Sequence, residues 1–219
     1  LSAEARYVPA AGRPGLTRFY DSVVALTMRE RLFRDRLVRQ VVADLPPGGT
    51  IADVGAGTGT LAIALAAAAP AAELVAIDGD PEVLAIAAAK PGAGAVDWQR
   101  GLAAELPLAD RSCERVTMSL LLHHLDPTGK RAALAEAHRV LRPGGRLHIA
   151  DWGKPQGPLM RAGLFTLALI DGFDGIRDHA AGRLPEFVEA AGFAAPRRHD
   201  RLRTAWGSLE LLSASRAER

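Results

Sequence analysis

Three glycines, two acidic residues and a histidine pair are the residue types and spacings in this 219-residue sequence that could do chemistry. Gly55, Gly57 and Gly59 alternate with Ala56 and Thr58. Without a Cβ, such a run takes positive φ, lets backbone approach a ligand closely, and offers N–H groups to a carboxylate or phosphate ahead of a helix N-terminus. Asp53 stands two residues before the first glycine. Asp78 follows one strand later, where a carboxylate can accept hydrogen bonds from both hydroxyls of a ribose; its other reading is a cap for the next helix. Asp80, followed by Pro81, fits that cap better. His123-His124 could take a proton from a substrate near neutral pH, or could be buried structural residues on an apolar run. No metal is expected, because adjacent histidines do not converge on one ion and no Cys or carboxylate companions accompany them.

The elements that must position these residues follow from periodicity. Leu16 to Leu45 reads as helical, with Phe33, Leu37, Val38, Val41 and Val42 on one face, and Pro46-Pro47-Gly48 stops it. Strands are expected at 50–54, 73–77, 95–99, 114–119 and 146–150, alternating with helices at 61–69, 82–90 and 130–141. That alternation predicts an α/β chain with a parallel sheet. Leu159 to Ile170 is an apolar helix too short to span a bilayer. It would cover the site, touch an apolar substrate or pair with a second copy in a homodimer. A helix at 184–191 follows. Gly207 permits a tight antiparallel hairpin between 197–204 and 208–213.

The spacing of the glycines separates two ligand classes. A dinucleotide fingerprint, G-x-G-x-x-G/A, would place a small residue at Thr60, whereas the third glycine here falls one position early. Asp53-Val54-Gly55-Ala56-Gly57-Thr58-Gly59 resembles motif I of class I S-adenosylmethionine-dependent methyltransferases. Three further stretches are similar to those of the small-molecule, quinone-biosynthesis (UbiE-like) group. They are Gly101-Leu102-Ala103-Ala104-Glu105-Leu106-Pro107, the run Ser119-Leu120-Leu121-Leu122-His123-His124-Leu125, and Arg139-Val140-Leu141-Arg142-Pro143-Gly144-Gly145-Arg146-Leu147. Phe19-Tyr20-Asp21 resembles a Tyr-Asp pair near the start of many such enzymes. One departure stands out: Leu102 occupies the position where the group carries an acid for the adenine amino group.

That resemblance implies a Rossmann-like fold with a seven-stranded, mostly parallel sheet, a C-terminal antiparallel hairpin and an N-terminal helical lid. It implies one domain over 1–219, with the lid at 1–48, the cofactor core at 49–151, and a substrate lid with the last two strands at 152–219. S-adenosylmethionine would lie on Asp53, Gly55, Ala56 and Gly57, with Asp78 and Gly79 at the ribose, Leu102 and Ala103 at the adenine, and Ser119, Leu120 and Tyr20 near the methyl group. His123, His124 and Tyr20 are the catalytic residues expected, and Trp152 and His179 would meet the substrate. The reaction implied is in-line methyl transfer to a small apolar or aromatic acceptor through O, N or C, releasing S-adenosylhomocysteine. The alternatives are an NAD-dependent oxidoreductase and a non-catalytic binding protein of the same fold.

Composition bounds the partners. Lys and Arg number 27 against 25 Asp and Glu, with no long basic block, so nucleic acid is not expected. The single cysteine, Cys113, rules out an internal disulfide and a multi-Cys zinc site. No leader pattern opens the chain, so a cytoplasmic protein is expected, with a substrate at a membrane surface left open.

Overall fold

Helices and short apolar strands alternate as the periodicity requires. The computed structural model describes residues 30–171, 173–204 and 207–218. Helix α1 (Glu30–Val42) precedes β1 (Thr50–Val54), α2 (Thr60–Ala68), β2 (Glu73–Asp78), α3 (Pro81–Ala88), β3 (Asp97–Arg100) and β4 (Cys113–Ser119). Then come α4 (Pro127–Val140), β5 (Leu141–Gly153), α5 (Pro158–Asp171), α6 (Phe173–Ala181), α7 (Leu184–Ala190), β6 (Arg197–Arg203) and β7 (Ser208–Ser215). The seven strands form one sheet of order β3-β2-β1-β4-β5-β7-β6. β1 to β5 run parallel, and β7 lies antiparallel between β5 and β6. The expected hairpin is therefore present.

Two buried layers sandwich the sheet. One packs Ala52, Val116, Met118, Leu147 and Ile149 against Leu134, Ala137 and Val140 of α4 and Phe187 and Val188 of α7. The other packs Ile51, Leu74, Ala76 and Leu211 against Leu37 and Val41 of α1 and Leu61 and Leu65 of α2. Period-two alternation along each strand and a single apolar stripe along each helix produce this division.

Several boundaries differ from expectation for local reasons. β3 begins at Asp97 rather than Ala95, because Ala93–Ala95 closes a 3-10 turn after Gly92, whose φ is 84°. β5 begins at Leu141, which already pairs with Cys113, whereas Arg146 pairs with Arg115. Arg142-Pro143-Gly144-Gly145 is thus an irregularity within the strand, which was expected to begin only at Arg146. α4 starts at Pro127, with Asp126 accepting from the Gly129 N–H at 2.6 Å as its N-cap. The helix α6 is an addition, and it carries His179, expected ahead of a helix. The N-terminal part of the helix foreseen over 16–45, with Tyr20 and Asp21, lies outside the described residues.

Candidate active site

Carboxyl ends of the parallel strands build a crest on which most of the sequence-marked residues meet. The glycine turn after β1 is fixed from below: the Ile77 carbonyl accepts from Gly55 N–H at 2.8 Å and Ala56 N–H at 3.0 Å. Asp78 fixes it from the side, its Oδ2 accepting from the Gly57 N–H at 2.8 Å and its Oδ1 from the Asp80 N–H at 3.0 Å. Asp80 caps α3 through the Glu82 N–H at 2.9 Å, as its position suggested. Burial raises the Asp78 carboxyl above the usual carboxylate range against the pull of these backbone donors. The Gly79 backbone donates to it as well, and a carboxylate with about four acceptor positions keeps capacity for a ligand hydroxyl beyond these three donors.

The three glycines have different physical reasons. Gly57, at φ 54°, has open space where a Cβ would project, so its backbone is bare to a ligand. Gly55 lies under the Leu121 side chain, whose Cδ2 would be 3.0 Å from an added Cβ. Gly59, at φ 78°, is pressed by the Trp98 ring and the Ala87 methyl, so its absent side chain makes room for helix-to-strand packing. Thr60 accepts a hydrogen bond from the Lys90 ammonium at 3.1 Å, a use that a dinucleotide fingerprint would not have.

Asp53 is 1% exposed, and its Oδ1 accepts from the Thr117 hydroxyl at 2.6 Å while Oδ2 has no partner among the described residues. Burial pushes this carboxyl up to about 7, with the Thr117 bond opposing and Asp78 adding to the rise. The folded chain therefore holds the proton more tightly than the unfolded chain, in which it titrates near 3.8. The stability that this proton confers is complete below about pH 4, is lost as pH climbs to about 7, and changes no further above that. Asp53→Asn should remove that decline, measured as the difference in urea midpoint between the two proteins from pH 4 to 8. Parallel midpoint curves would assign the titration elsewhere.

A second cluster forms where β4 and β5 end. Ser119 is half-buried and pairs with Ala150. Leu120 takes φ 53°, rare for a branched residue, and donates its N–H to the Ala150 carbonyl at 2.8 Å. The 3-10 turn Leu122–His124 then closes over Asp151. The Asp151 carboxylate is fully buried: Oδ2 accepts from the Leu122 N–H at 2.8 Å and the His123 N–H at 3.3 Å, and Oδ1 from the Trp152 N–H at 2.7 Å. Oδ1 also lies 2.8 Å from Nδ1 of His123. Burial alone would raise this carboxyl, but His123, His179 and these donors outweigh it and hold it well below the usual range. An ionised Asp151 makes Nδ1 of His123 the donor in this contact.

His124 stacks on His123 with centroids 4.0 Å apart and is pushed down to about 3 by burial and its neighbours, so it stays neutral. His179 on α6 donates from Nδ1 to the Trp152 carbonyl at 2.7 Å and lies 4.0 Å from Asp151. Trp152 is 2% exposed, edge-on to His123 and packed near Gly207 and Leu164. Neither Trp152 nor His179, both expected against a substrate, presents an open face; both enclose Asp151, and His123, 2% exposed, is buried with them beneath His124. Leu102 is half-buried and bridges to Glu105, and Ala103 packs on the core. Asp151 follows the strand expected at 146–150 and was not singled out for chemistry. Its role depends on partners 28 residues away in each direction, which no local pattern reveals. Among the described residues no group of His, Cys, Asp or Glu could hold a metal ion, and no helix is long and apolar enough to cross a membrane.

A sheet of this order, with a glycine turn after its first strand and a carboxylate after its second, defines a Rossmann-like class I methyltransferase. The chain belongs to the S-adenosylmethionine-dependent methyltransferases: a methyltransferase-domain family model matches residues 51–145. It is 35% identical over 170 residues to the ubiquinone/menaquinone biosynthesis C-methyltransferase UbiE of Syntrophotalea carbinolica, covering 74% of this chain and 69% of that one. It is 31% identical to the malonyl-[acyl-carrier protein] O-methyltransferase of Methylococcus capsulatus, covering 80% of this chain and 61% of that one. Two further UbiE proteins, of Desulfotalea psychrophila and Rubrivivax gelatinosus, are 31% and 38% identical, and the chain spans only 60% and 47% of their length. Among solved structures, an S-adenosylmethionine-dependent methyltransferase from Methanosarcina mazei shares the fold with a TM-score of 0.66 at 21% identity, over 81% of this chain and 96% of that one. The protein is thus an enzyme that uses S-adenosylmethionine, and the dinucleotide reading finds no support.

Proposed function

We propose that the enzyme methylates a small acceptor whose nucleophilic oxygen, nitrogen or carbon arrives protonated, with His123 taking the proton. The carrying observation is the buried 2.8 Å contact between His123 Nδ1 and Asp151, placed beside the crest. S-adenosylmethionine supplies an electrophilic methyl carbon that needs no activation by the protein. The chain's part is to align the nucleophile, exclude water and remove one proton; alignment alone can contribute roughly 7–11 kcal/mol.

The residues fit this cosubstrate. Gly57 offers open backbone, Asp78 keeps lone pairs for the ribose, and Gly55, Ala56 and Gly79 flank them. Leu102 and Ala103 would hold the adenine through apolar contact and backbone, and Ser119 and Leu120 would border the methyl group. His123 accepts the acceptor's proton at Nε2, and Asp151, already ionised, stabilises the imidazolium that results. His124, held neutral at its side, would narrow the acceptor space. Trp152 and His179 act through Asp151 by keeping it dry.

Isothermal titration with S-adenosylhomocysteine tests the binding half. Asp78→Ala removes a charged acceptor from the ribose and from the Gly57 N–H, so affinity should fall by about tenfold or more. Unchanged affinity would remove Asp78 from the site. Methyl transfer from labelled S-adenosylmethionine across quinol, catechol, amine and thioester-linked acid acceptors tests the catalytic half. Exclusive use of acceptors that carry no ionisable proton at the methylated atom would overturn the base.

A further inference from the structure

The groove between α1 and the β5-β7-β6 end of the sheet contains a buried donor that methyl transfer does not use. The Gln40 amide on α1 donates to Nδ1 of His148 at 3.1 Å and to the Leu212 carbonyl at 3.3 Å. With Nδ1 accepting, the neutral imidazole carries its proton on Nε2. His148 is 1% exposed, and its Nε2–H has no partner among the described residues. A native chain seldom leaves such a donor unmatched without a reason.

Charge around that N–H favours an anion. The groove has a volume of about 470 Å³, and Arg36, Arg39, Arg146 and His199 line it with His148. Two carboxylates also face it, Asp200 paired with Arg36 and Asp44 lying 3.7 Å from Arg146. Arg39 makes no ion pair among the described residues. Behind β4, Arg115 directs its hydrogen bonds at the Val41, Ala43 and Asp44 carbonyls, at 3.2, 3.2 and 2.9 Å, and its charge adds to the field. Burial, Arg115, Arg146 and His199 together hold His148 neutral, pushed down to about 3, so it remains an N–H donor across the physiological range. The groove lies below the crest: Arg146 and His148 precede Asp151 on β5 by five and three residues.

We propose that this groove binds the phosphate group of a small phosphomonoester, with His148 Nε2–H and the Arg39 guanidinium as its principal donors and Arg146 and Arg36 as cations shared with Asp44 and Asp200. A tetrahedral dianion uses several donors from different directions and gains more from this field than a planar monoanion does. The remaining groove volume accommodates the organic portion. Bound phosphate ties α1 to the sheet edge, so it raises the thermal midpoint, and the rise continues logarithmically with phosphate concentration above its Kd.

Imidazole nitrogen NMR on the full chain, titrated with sodium phosphate against sodium chloride at equal ionic strength, tests the site. The expected result is a His148 resonance of the Nε2–H form that shifts saturably with phosphate, and affinity for glycerol 3-phosphate at least equal to that for phosphate. Arg39→Gln should weaken both by about tenfold or more. His148→Phe should abolish the saturable response. If that variant does not fold, Gln40→Glu serves instead: its carboxylate accepts from Nδ1–H, moves the ring proton off Nε2 and should remove binding. Acetate matching both phosphates, affinity unchanged in Arg39→Gln, or no saturable shift at His148 would each overturn the proposal.

Discussion

His123→Gln is expected to lower kcat for methyl transfer by about 10²–10⁴-fold while affinity for S-adenosylhomocysteine changes by less than about threefold. Glutamine keeps much of the side chain's size but offers no nitrogen that can hold a proton through the reaction. An acceptor already ionised at the assay pH should lose far less, because there the proton has left before binding. Equal losses for ionised and protonated acceptors would show that His123 positions the acceptor and takes no proton. Asp151→Asn carries a separate cost. The carboxylate oxygens accept from three backbone N–H groups and from His123, so an amide NH2 in that place must turn a donor toward donors. Activity should fall with that of His123→Gln, and stability should fall by about 1–3 kcal/mol. A depressed Asp151 also means that this stabilisation is complete above the unfolded carboxylate range and is lost as pH falls toward the lower folded value.

Gly175→Ala is the second change expected to have a large effect. A Cβ built there runs into the His123 carbonyl and comes within 3.2 Å of the Leu125 carbonyl, and both are backbone atoms that cannot swing aside. The same contact surface carries the buried Lys130 ammonium, which donates to the Gly175 carbonyl at 2.6 Å and to Asp178 at 3.2 Å. Forcing α6 outward strains these bonds and loosens His179 and His123 from Asp151. Overpacking of this kind costs typically 1–3 kcal/mol, which for a chain of this size lowers Tm by roughly 2–12 °C. The rate of methyl transfer should drop as well, since the turn that holds His123 is displaced. Gly94→Ala, where an added Cβ meets nothing within 4 Å, is the control and should leave both values near wild type. Equal Tm for the two variants would mean that α6 is not packed against the His123 turn as described.

How much of this could be read in the sequence depends on how far each cause extends along the chain. The glycine turn, the Asp80 cap with Pro81, the stop at Pro46-Pro47-Gly48 and the period-two strands are set by neighbours within a few residues, and the structure keeps all of them. Asp78 was expected to hold a ligand, but its hold on the Gly57 N–H was not foreseen, because that bond requires β2 to lie beside β1 in register. β5 was expected to begin at Arg146, after Pro143-Gly144-Gly145; its start at Leu141 comes from the pairing of Leu141 with Cys113.

Backbone chemistry and side-chain periodicity, which act between near neighbours, were enough to determine the alternation of elements, the glycine turn and the capping, while the methyltransferase class came from the resemblance of four motifs to a known family. The dyad itself was decided in three dimensions. Asp151 meets His123 and approaches His179 because the sheet places β4 beside β5 and α6 folds back over their ends, joining side chains 28 residues apart on either side. The same holds for Thr117 on Asp53, Trp98 on Gly59 and Gln40 on His148, contacts that exist only once the strand order is fixed. Burial then set the proton affinities of Asp53, Asp151 and His148, a property of the packed interior that no spacing along the chain contains.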